Sequence, residues 1–318
     1  MKNKEQFDKT LVFGHKGMVG SAIVRRMASH GLPAPITAGR EEVDCLEQAA
    51  VREFISTVKP SSVIVAAAKV GGIEANRSHM AEFMYENIIL AANIIDASYR
   101  AGVKHLMFLG SSCIYPRMAE QPIHEDALLS GLLEPSNEGY AIAKISGLKM
   151  CQYYRRQYGV CYHSVMPTNL YGPGDNYHPQ HSHVLPALIR RFEEAREDNV
   201  REVTLWGTGS ALREFLHADD LADAVLFTMG LDNPPDWVNV GSGEEVSIKQ
   251  LAEKVKSAVG VDCEIKWDPT KPDGTPRKLL DCSLLRSFGW APKIFLDEGI
   301  KRTIEDYRRE GATGTRRG

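Results

Sequence analysis

Short apolar segments alternate with longer amphipathic ones over the first half of the chain, and this alternation restricts the possible folds more than any other feature. The apolar segments are KTLVFG (9–14), APITAG (34–39), SSVIVAAA (61–68), VKHLMFLG (103–110) and the start of VCYHSVMPTNLYG (160–172). The segments between them, such as GSAIVRRMASHG (20–31) and HMAEFMYENIILAANIIDASYRAG (79–102), have helical periodicity. Continuously apolar strands separated by helices are typical of a parallel sheet that helices cover on both faces. The pattern predicts an α/β fold with a Rossmann-type doubly wound parallel sheet.

The alternation of strand and helix segments changes after Gly172, where the loop PGDNYHPQHSH (173–183) begins. We predict a nucleotide-binding Rossmann domain over residues 1–172, to which segments near 214–241 return. Residues 173–213 and 242–318 then form a smaller C-terminal α/β substrate lobe. The final segment, EGATGTRRG (310–318), is polar and rich in glycine, and we expect it to be disordered.

Charge and cysteine content exclude some classes of function. The net charge of −3 argues against a nucleic-acid-binding protein that relies on bulk charge. The first residues lack the apolar core of a signal peptide, and no apolar run approaches the ~20 residues of a membrane span. The six cysteines form no C-x-x-C pair and are expected to be reduced thiols. We therefore expect a cytoplasmic protein that does not bind membranes.

The segment GHKGMVG (14–20) places three glycines between the first strand and the first helix. Glycines there let a phosphate approach backbone N–H groups, and the positive end of the helix attracts the anion. We therefore expect a dinucleotide at this loop, although three ordinary turn glycines are the alternative. The residues of the loop are Gly14, His15, Lys16, Gly17, Met18, Val19 and Gly20.

The residues after the second strand indicate which dinucleotide binds. An NAD site favours an acidic residue at this point, but the sequence is ITAGREE, with Arg40 directly after the strand. Arg40 and Lys16 together favour a ribose 2′-phosphate, and hence NADP(H). Glu41 and Glu42 argue in the other direction, and a solvated surface charge is the alternative for Arg40.

The segment YAIAK places Tyr140 and Lys144 on the same face of a helix. A phenol is a weak acid–base catalyst at neutral pH unless a nearby ammonium lowers its pKa. In isolation this spacing is more often a surface pair. After a glycine loop and the strand-end serines Ser111 and Ser112, it favours carbonyl reduction, with one of the two serines facing the ketone.

Six segments together resemble the extended short-chain dehydrogenase/reductases that act on nucleotide sugars, and within them the GDP-L-fucose synthase family. They are GHKGMVGSAI, AAAKVGGIEAN, LGSSCIYP, SVMPTNLYGPGDN, LREFLH and KPDGTPRK, and the resemblance runs from about residue 10 to residue 310. It implies an oxidoreductase and isomerase that epimerises GDP-4-keto-6-deoxy-D-mannose at C3 and C5 and reduces C4 with NADPH. It also implies a homodimer that pairs the helices containing residues 82–99 and 145–154. The alternative is that the apolar faces of these helices only cover the sheet of their own chain. Beyond the glycine loop and Arg40, the implied cofactor-binding residues are Leu109, Gly110, Ser111, Ser112, Lys144, Pro167, Thr168, Asn169, Leu170 and His183.

Epimerisation needs an acid–base pair in addition to the Ser–Tyr–Lys set. Cys113 follows the paired serines, and a cation would make its thiolate a plausible base. Histidine titrates near neutrality, and the loop 173–183 contains His178, His181 and His183. The resemblance selects His183 as the acid and favours Ser111 over Ser112 as the serine that binds the ketone. A metal site in the histidine loop is the weaker alternative, because no other ligand completes it, and we expect none.

The smaller lobe supplies cations that suit a pyrophosphate: Arg191, Arg213, Lys271 and Arg277. The resemblance selects Arg191, Trp206, Arg213 and Asp273 as contacts of the GDP-sugar. An exposed salt bridge for Arg191 and a core position for Trp206 are the alternatives.

Two other functions remain open. The same scaffold would serve a GDP-4-keto-3,6-dideoxy sugar, with inversion at C5 only, to give GDP-L-colitose. A non-catalytic protein that binds NADP and senses redox state is the second alternative, although it would not need Cys113, Tyr140 and Lys144 together.

Overall fold

A computed structural model describes residues 5–271 and 273–317 of the chain. The strands are β1 Thr10–Phe13, β2 Ile36–Ala38, β3 Ser62–Val65, β4 His105–Leu109, β5 Cys161–Pro167, β6 Asn169–Tyr171, β7 Glu202–Trp206, β8 Leu212–His217, β9 Trp237–Val240, β10 Glu245–Ser247, β11 Glu264–Asp268 and β12 Arg277–Lys278. The helices are α1 Met18–Ser29, α2 Gln48–Val58, α3 Ile73–Ser78, α4 Met80–Arg100, α5 Glu138–Tyr158, α6 Val184–Glu197, α7 Ala218–Met229, α8 Ile248–Val259, α9 Ser283–Ser287 and α10 Leu296–Thr313. In these described residues, no helix is both long and apolar enough to traverse a bilayer.

The main sheet has the strand order β2-β1-β3-β4-β5-β9, and all its pairs are parallel. The doubly wound α/β fold predicted from the alternating pattern is therefore confirmed. The chain changes direction across the sheet between β1 and β3, which is where such folds bind ligands, beyond the carboxyl ends of the strands. β9 completes the sheet from the predicted return segment.

Helices cover both faces of this sheet. On one face α1 and α7 bury Ile23, Met27, Leu221 and Val225 against the strands. On the other face α2, α4 and α5 form a second core. Gly147 lets α5 lie directly on β4, because a Cβ atom there would come within 2.4 Å of the Phe108 ring. This close packing fixes the helix that carries Tyr140 and Lys144.

The segment 160–172, expected to begin as one strand, is divided between two sheets. β5 belongs to the main sheet, whereas β6 pairs with β8 in a smaller sheet that also contains β10 and β12. Thr168 separates the two strands, and its Oγ1 donates to the Glu214 carbonyl oxygen at 3.3 Å. The smaller sheet therefore begins where the main sheet ends.

The C-terminal segment differs from the sequence expectation. The prediction of disorder over 310–318 is wrong for residues 310–317, and Gly318 lies outside the described residues. α10 continues to Thr313, and the backbone N–H of Tyr177 donates to the carbonyl oxygen of Arg317 at 2.9 Å. Composition alone missed this because the tail is held by a loop that is distant in sequence.

Candidate active site

A cavity of about 1680 Å³ lies along the carboxyl edge of the main sheet and extends to the smaller sheets. Most residues expected to bind cofactor or substrate line it. Those that do are Gly14, His15, Lys16, Gly17, Met18, Val19, Gly20, Arg40, Gly110, Ser111, Ser112, Cys113, Tyr140, Pro167, Thr168, Asn169, Leu170, His183, Arg191, Trp206, Arg213 and Asp273. Leu109, Lys144, Lys271 and Arg277 are not part of the cavity wall; Leu109 and Lys144 lie directly behind it.

The glycine loop has the shape that a dinucleotide requires. A Cβ atom at Gly20 would come within 2.1 Å of the Gly14 carbonyl oxygen, so this glycine is needed for helix–strand packing. A Cβ atom at Gly17 would meet only that oxygen, at 3.4 Å, so internal packing does not explain this glycine. The Nδ1 atom of His15 is buried without a hydrogen-bond partner among the described residues. An open backbone and an unpaired polar atom at the start of α1 fit the phosphates of a dinucleotide.

Carboxylates near the second strand are occupied by contacts within the chain. Glu42 accepts a hydrogen bond from the Gly39 backbone N–H at 2.7 Å and closes the turn after β2. Glu41 pairs with Lys16 at 2.7 Å, where both side chains are exposed, and this pair raises the pKa of Lys16. Arg40 is exposed, 4.0 Å from the nearer oxygen of Glu86. The two acids that argued against NADP therefore have structural partners, and both cations lie at the cavity rim.

Tyr140 and Lys144 lie one helical turn apart on α5, as the spacing predicts. The Lys144 ammonium donates to the carbonyl oxygen of Leu109 at 2.7 Å and lies 5.7 Å from the centroid of the Tyr140 ring. Burial raises the pKa of Tyr140 and lowers the pKa of Lys144 to about 8. The expectation that Lys144 lowers the phenol pKa is wrong for this structure, because the effect of burial on the phenol is the larger one. The phenol is therefore protonated at neutral pH, as a proton donor must be, but in this structure it is a weaker acid than a free tyrosine.

Cys113 lies in a short 3-10 turn after β4, and its own backbone N–H donates to Ser111 Oγ at 3.3 Å. Its side chain is buried, and burial raises its pKa, although Lys278 and a hydrogen bond from Ser111 act in the opposite direction. Ser111 is half-buried whereas Ser112 is buried, and both line the cavity. The expected cation near the thiol is therefore present, and it is Lys278.

His183 is the residue immediately before α6 and is exposed on the cavity wall. Desolvation by the surrounding cavity atoms lowers its pKa, which favours the neutral imidazole at pH 7. His178 and His181 stack on each other with ring centroids 4.4 Å apart. Within residues 5–271 and 273–317, no group of His, Cys, Asp and Glu has an arrangement suited to a metal ion.

The far end of the cavity combines an exposed aromatic ring with cations. Trp206 is 59% exposed, so it is not a core residue, and the guanidinium carbon of Arg191 lies 6.0 Å from its ring centroid. Arg191 donates to the Thr204 carbonyl oxygen at 3.1 Å, and burial lowers its pKa. Burial likewise lowers the pKa of Arg213. Asp273 accepts hydrogen bonds from the backbone N–H and the hydroxyl of Thr208, at 2.7 and 2.8 Å.

Two of the expected cations lie elsewhere, and two unexpected ones line the cavity. Lys271 is outside the wall but 5.7 Å from the Trp206 ring centroid, and Arg277 pairs with Glu245 at 2.8 Å. Lys278 and Arg317 line the cavity although the sequence reasoning missed them. Lys278 follows Arg277 in the motif KPDGTPRK, and the alternation of side chains along a strand was the available signal. Nothing local in the sequence marked Arg317.

Comparison with known proteins agrees with this geometry. A family model described as NAD dependent epimerase/dehydratase family matches residues 10–241. The chain is 56% identical over 303 residues to the putative GDP-L-fucose synthase 2 of Arabidopsis thaliana, which covers 95% of this chain and 92% of that protein. It is 37% identical over 304 residues to the GDP-L-colitose synthase of Yersinia pseudotuberculosis, which covers 95% of this chain and 98% of that protein.

Among solved structures, a GDP-L-fucose synthetase from Naegleria fowleri bound to NADP superposes with a TM-score of 0.87 at 28% identity. That match covers 98% of this chain and 96% of the other. Its fold and the sequence relatives lead to the same conclusion as the family model. The chain belongs to the NAD dependent epimerase/dehydratase family.

Proposed function

We propose that this protein converts GDP-4-keto-6-deoxy-D-mannose to GDP-L-fucose, by epimerisation at C3 and C5 and NADPH-dependent reduction at C4. The observation that carries the proposal is the presence of Cys113 and His183 in the same cavity as Ser111 and Tyr140. A simple ketone reductase has no use for the first two residues. The 56% identity to a putative GDP-L-fucose synthase, against 37% to a GDP-L-colitose synthase, favours the fucose product.

Epimerisation is the work of Cys113 and His183. The C4 ketone acidifies the protons on C3 and C5, because the carbanion formed is delocalised as an enolate. The Cys113 thiolate removes one of these protons, and protonated His183 returns a proton to the opposite face of the same carbon. Cys113 then holds the proton that it removed and His183 is neutral, so both exchange protons before the second inversion. Lys278 stabilises the thiolate form by its charge.

Reduction at C4 uses the residues on β4 and α5. Reduced nicotinamide, when bound, would supply the hydride for C4. Ser111 donates a hydrogen bond to the ketone oxygen, and Tyr140 gives that oxygen its proton. Lys144 is held by the Leu109 carbonyl oxygen at 2.7 Å, behind the cavity wall. We expect its ammonium to turn from that oxygen to the nicotinamide ribose hydroxyls when the cofactor binds. Pro167, Thr168, Asn169 and Leu170, which line the cavity, would hold the nicotinamide.

The GDP moiety binds at the end of the cavity formed by the smaller sheets. Trp206 is exposed there and offers a flat surface on which a base stacks. The half-buried guanidinium groups of Arg191 and Arg213 bind the pyrophosphate, with Lys278 beside them. Asp273 is the remaining substrate contact.

The division into lobes and the assembly belong to the same proposal. The cofactor domain comprises residues 1–172 with the return segments near 214–241, and the substrate lobe comprises 173–213 and 242–318. Two chains pair through α4 and α5, on which Met80, Tyr85 and Tyr153 are 55%, 63% and 57% exposed. All six cysteines are free thiols, as a cytoplasmic enzyme requires.

A product assay with two keto sugars tests the proposal. The enzyme is incubated with NADPH and either GDP-4-keto-6-deoxy-D-mannose or its 3-deoxy analogue, and the products are identified by NMR. We expect faster turnover of the first, to GDP-L-fucose. Preferred turnover of the 3-deoxy sugar would identify a colitose-forming enzyme, and NADPH binding without turnover of either would leave a non-catalytic protein.

A further inference from the structure

The C-terminal tail reaches the cofactor end of the cavity. Arg316 stacks on Tyr307, with its guanidinium carbon 3.5 Å from the ring centroid, and its Nη2 donates to the Tyr307 carbonyl oxygen at 3.1 Å. The next residue, Arg317, is held through its carbonyl oxygen by the Tyr177 backbone N–H at 2.9 Å. These contacts hold the tail against α10 and the loop 173–183, so Arg317, itself exposed, is kept close to that loop.

The Arg317 side chain contacts a loop that packs on the first turn of α1. Its Nη1 donates to the Gly174 carbonyl oxygen at 3.3 Å, and Arg317 lines the cavity. A Cβ atom at Gly174 would lie 3.9 Å from both Met18 Cα and Ser21 Oγ, which are in that first turn. The loop that accepts this hydrogen bond therefore packs on the helix end at which the glycine loop leaves its backbone open, and the guanidinium lines the same cavity.

Arg317 is a cation without an acidic partner at this end of the cavity. Lys16 pairs with Glu41 at 2.7 Å, and Arg40 lies 4.0 Å from Glu86. In the described part of the chain, Arg317 forms no ion pair with a carboxylate; its hydrogen-bonding contact is a carbonyl oxygen.

Two acids, Asp306 and Asp175, lie at Gly174. Asp306 accepts from the Gly174 N–H and pairs with Arg309. Asp175 does little to neutralise Arg317. Asp175 is buried, one of its oxygens accepts from the Asn176 backbone N–H at 2.7 Å, and the other has no partner among the described residues. Burial raises the pKa of this carboxyl to about 7, so a large fraction is uncharged at neutral pH. The positive charge of Arg317 is thus available to a ligand.

We propose that Arg317 is a cofactor-binding residue, which the C-terminal tail carries to the glycine loop to bind the pyrophosphate of NADP(H). A pyrophosphate has two negative charges and oxygens that a guanidinium binds by paired hydrogen bonds. The tail is then the third segment of the phosphate site, after the glycine loop and the loop that contains Gly174. This inference rests on the proposed use of NADP(H) and adds a residue to that site.

The test measures dissociation constants by fluorescence titration for wild type, Arg317→Gln and Arg317→Lys. Lys301→Gln, an exposed charge change on α10 away from the cavity, is the matched control. We expect Arg317→Gln to weaken NADPH binding by roughly tenfold, because a hydrogen bond to a charged group is lost. Arg317→Lys should recover part of the loss, Lys301→Gln should bind as wild type does, and all four melting temperatures without ligand should agree.

Two smaller ligands, ADP and 2′-AMP, distinguish binding of the pyrophosphate from binding of the 2′-phosphate. ADP should lose affinity for Arg317→Gln by a factor similar to NADPH, while 2′-AMP should bind both proteins equally. Equal NADPH binding by wild type and Arg317→Gln would overturn the inference and leave the proposed function intact. The same holds if Arg317→Gln loses affinity for 2′-AMP but not for ADP. Absence of NADPH binding by wild type would overturn both.

Discussion

The proposed acid–base pair, Cys113 and His183, rests in its uncharged form. Desolvation raises the pKa of Cys113 and lowers that of His183, which favours a thiol and a neutral imidazole at pH 7. The reactive form, a thiolate with an imidazolium, contains the same number of protons. It forms when one proton moves from Cys113 to His183, and pH changes within the neutral range leave its population constant.

Replacing the cysteine tests its role directly. Cys113→Ser should reduce hydrogen exchange at C3 and C5 by about 10²–10⁴-fold, because a serine hydroxyl is a far weaker acid than a thiol. NADPH affinity should be unchanged, and Cys161→Ser, at a half-buried thiol outside the cavity, is the control. NMR of the keto sugar in deuterated buffer measures the exchange. A normal exchange rate in Cys113→Ser would rule out this role.

The lowered pKa of Lys144 predicts a pH dependence of cofactor binding. With a pKa of about 8, the side chain is charged below that pH and neutral above it. A charged donor binds ribose hydroxyls more strongly, so NADPH affinity should fall roughly fivefold between pH 7 and pH 9.5. Titrations across this range should show the decrease for wild type and a flat profile for Lys144→Met. An affinity that rises with pH would contradict the assignment.

At the scale of elements, two residues of the glycine loop are expected to have different roles: Gly17 serves ligand binding and Gly20 serves packing. Gly17→Ala introduces no internal clash and has an ordinary φ of −81°, so the free energy of unfolding should fall by no more than about 1 kcal/mol. In the proposed cofactor site the added methyl group would lie where the pyrophosphate approaches, so NADPH affinity should fall by about tenfold or more.

Gly20→Ala is the matched comparison for stability. Its Cβ atom would come within 2.1 Å of the Gly14 carbonyl oxygen, so we expect a loss of about 1–3 kcal/mol from overpacking. Denaturant unfolding and NADPH titration of both variants check the contrast. Equal losses of stability would show that Gly17 serves packing as Gly20 does.

Elements with local signals were predictable, and contacts between distant segments were not. The glycine loop and the Tyr140–Lys144 pair were predictable because each follows from periodicity and spacing within its own strand–helix unit. Lys278 reaches the cavity because β12 pairs with β8, with Lys278 opposite Arg213, and this pairing has no local sequence signal. Arg317 lies there because of contacts to Tyr177 and Gly174, over 130 residues away in sequence. The raised pKa of Tyr140 likewise depends on burial by several elements.

The proposed dimer concerns the molecule as a whole. Light scattering should give twice the 35.3 kDa chain mass at micromolar concentration. Combining Tyr85→Arg with Tyr153→Arg places charges on the exposed faces of α4 and α5 and should give monomers, because like charges would be buried on association. Phe295 is 71% exposed elsewhere on the molecule, and Phe295→Arg should remain dimeric. A monomeric wild type would refute the pairing.

The whole account depends on one cavity that performs two chemistries in sequence, and a single experiment in heavy water observes both. GDP-4-keto-6-deoxy-D-mannose and NADPH are incubated with the wild-type enzyme in D₂O, NADPH absorbance is followed, and deuterium in the product is located by NMR and mass spectrometry. We predict that NADPH is consumed and that the product carries deuterium at both C3 and C5. Consumption of NADPH without deuterium at either carbon would contradict the account, because the enzyme would then be a simple reductase and Cys113 a packing residue.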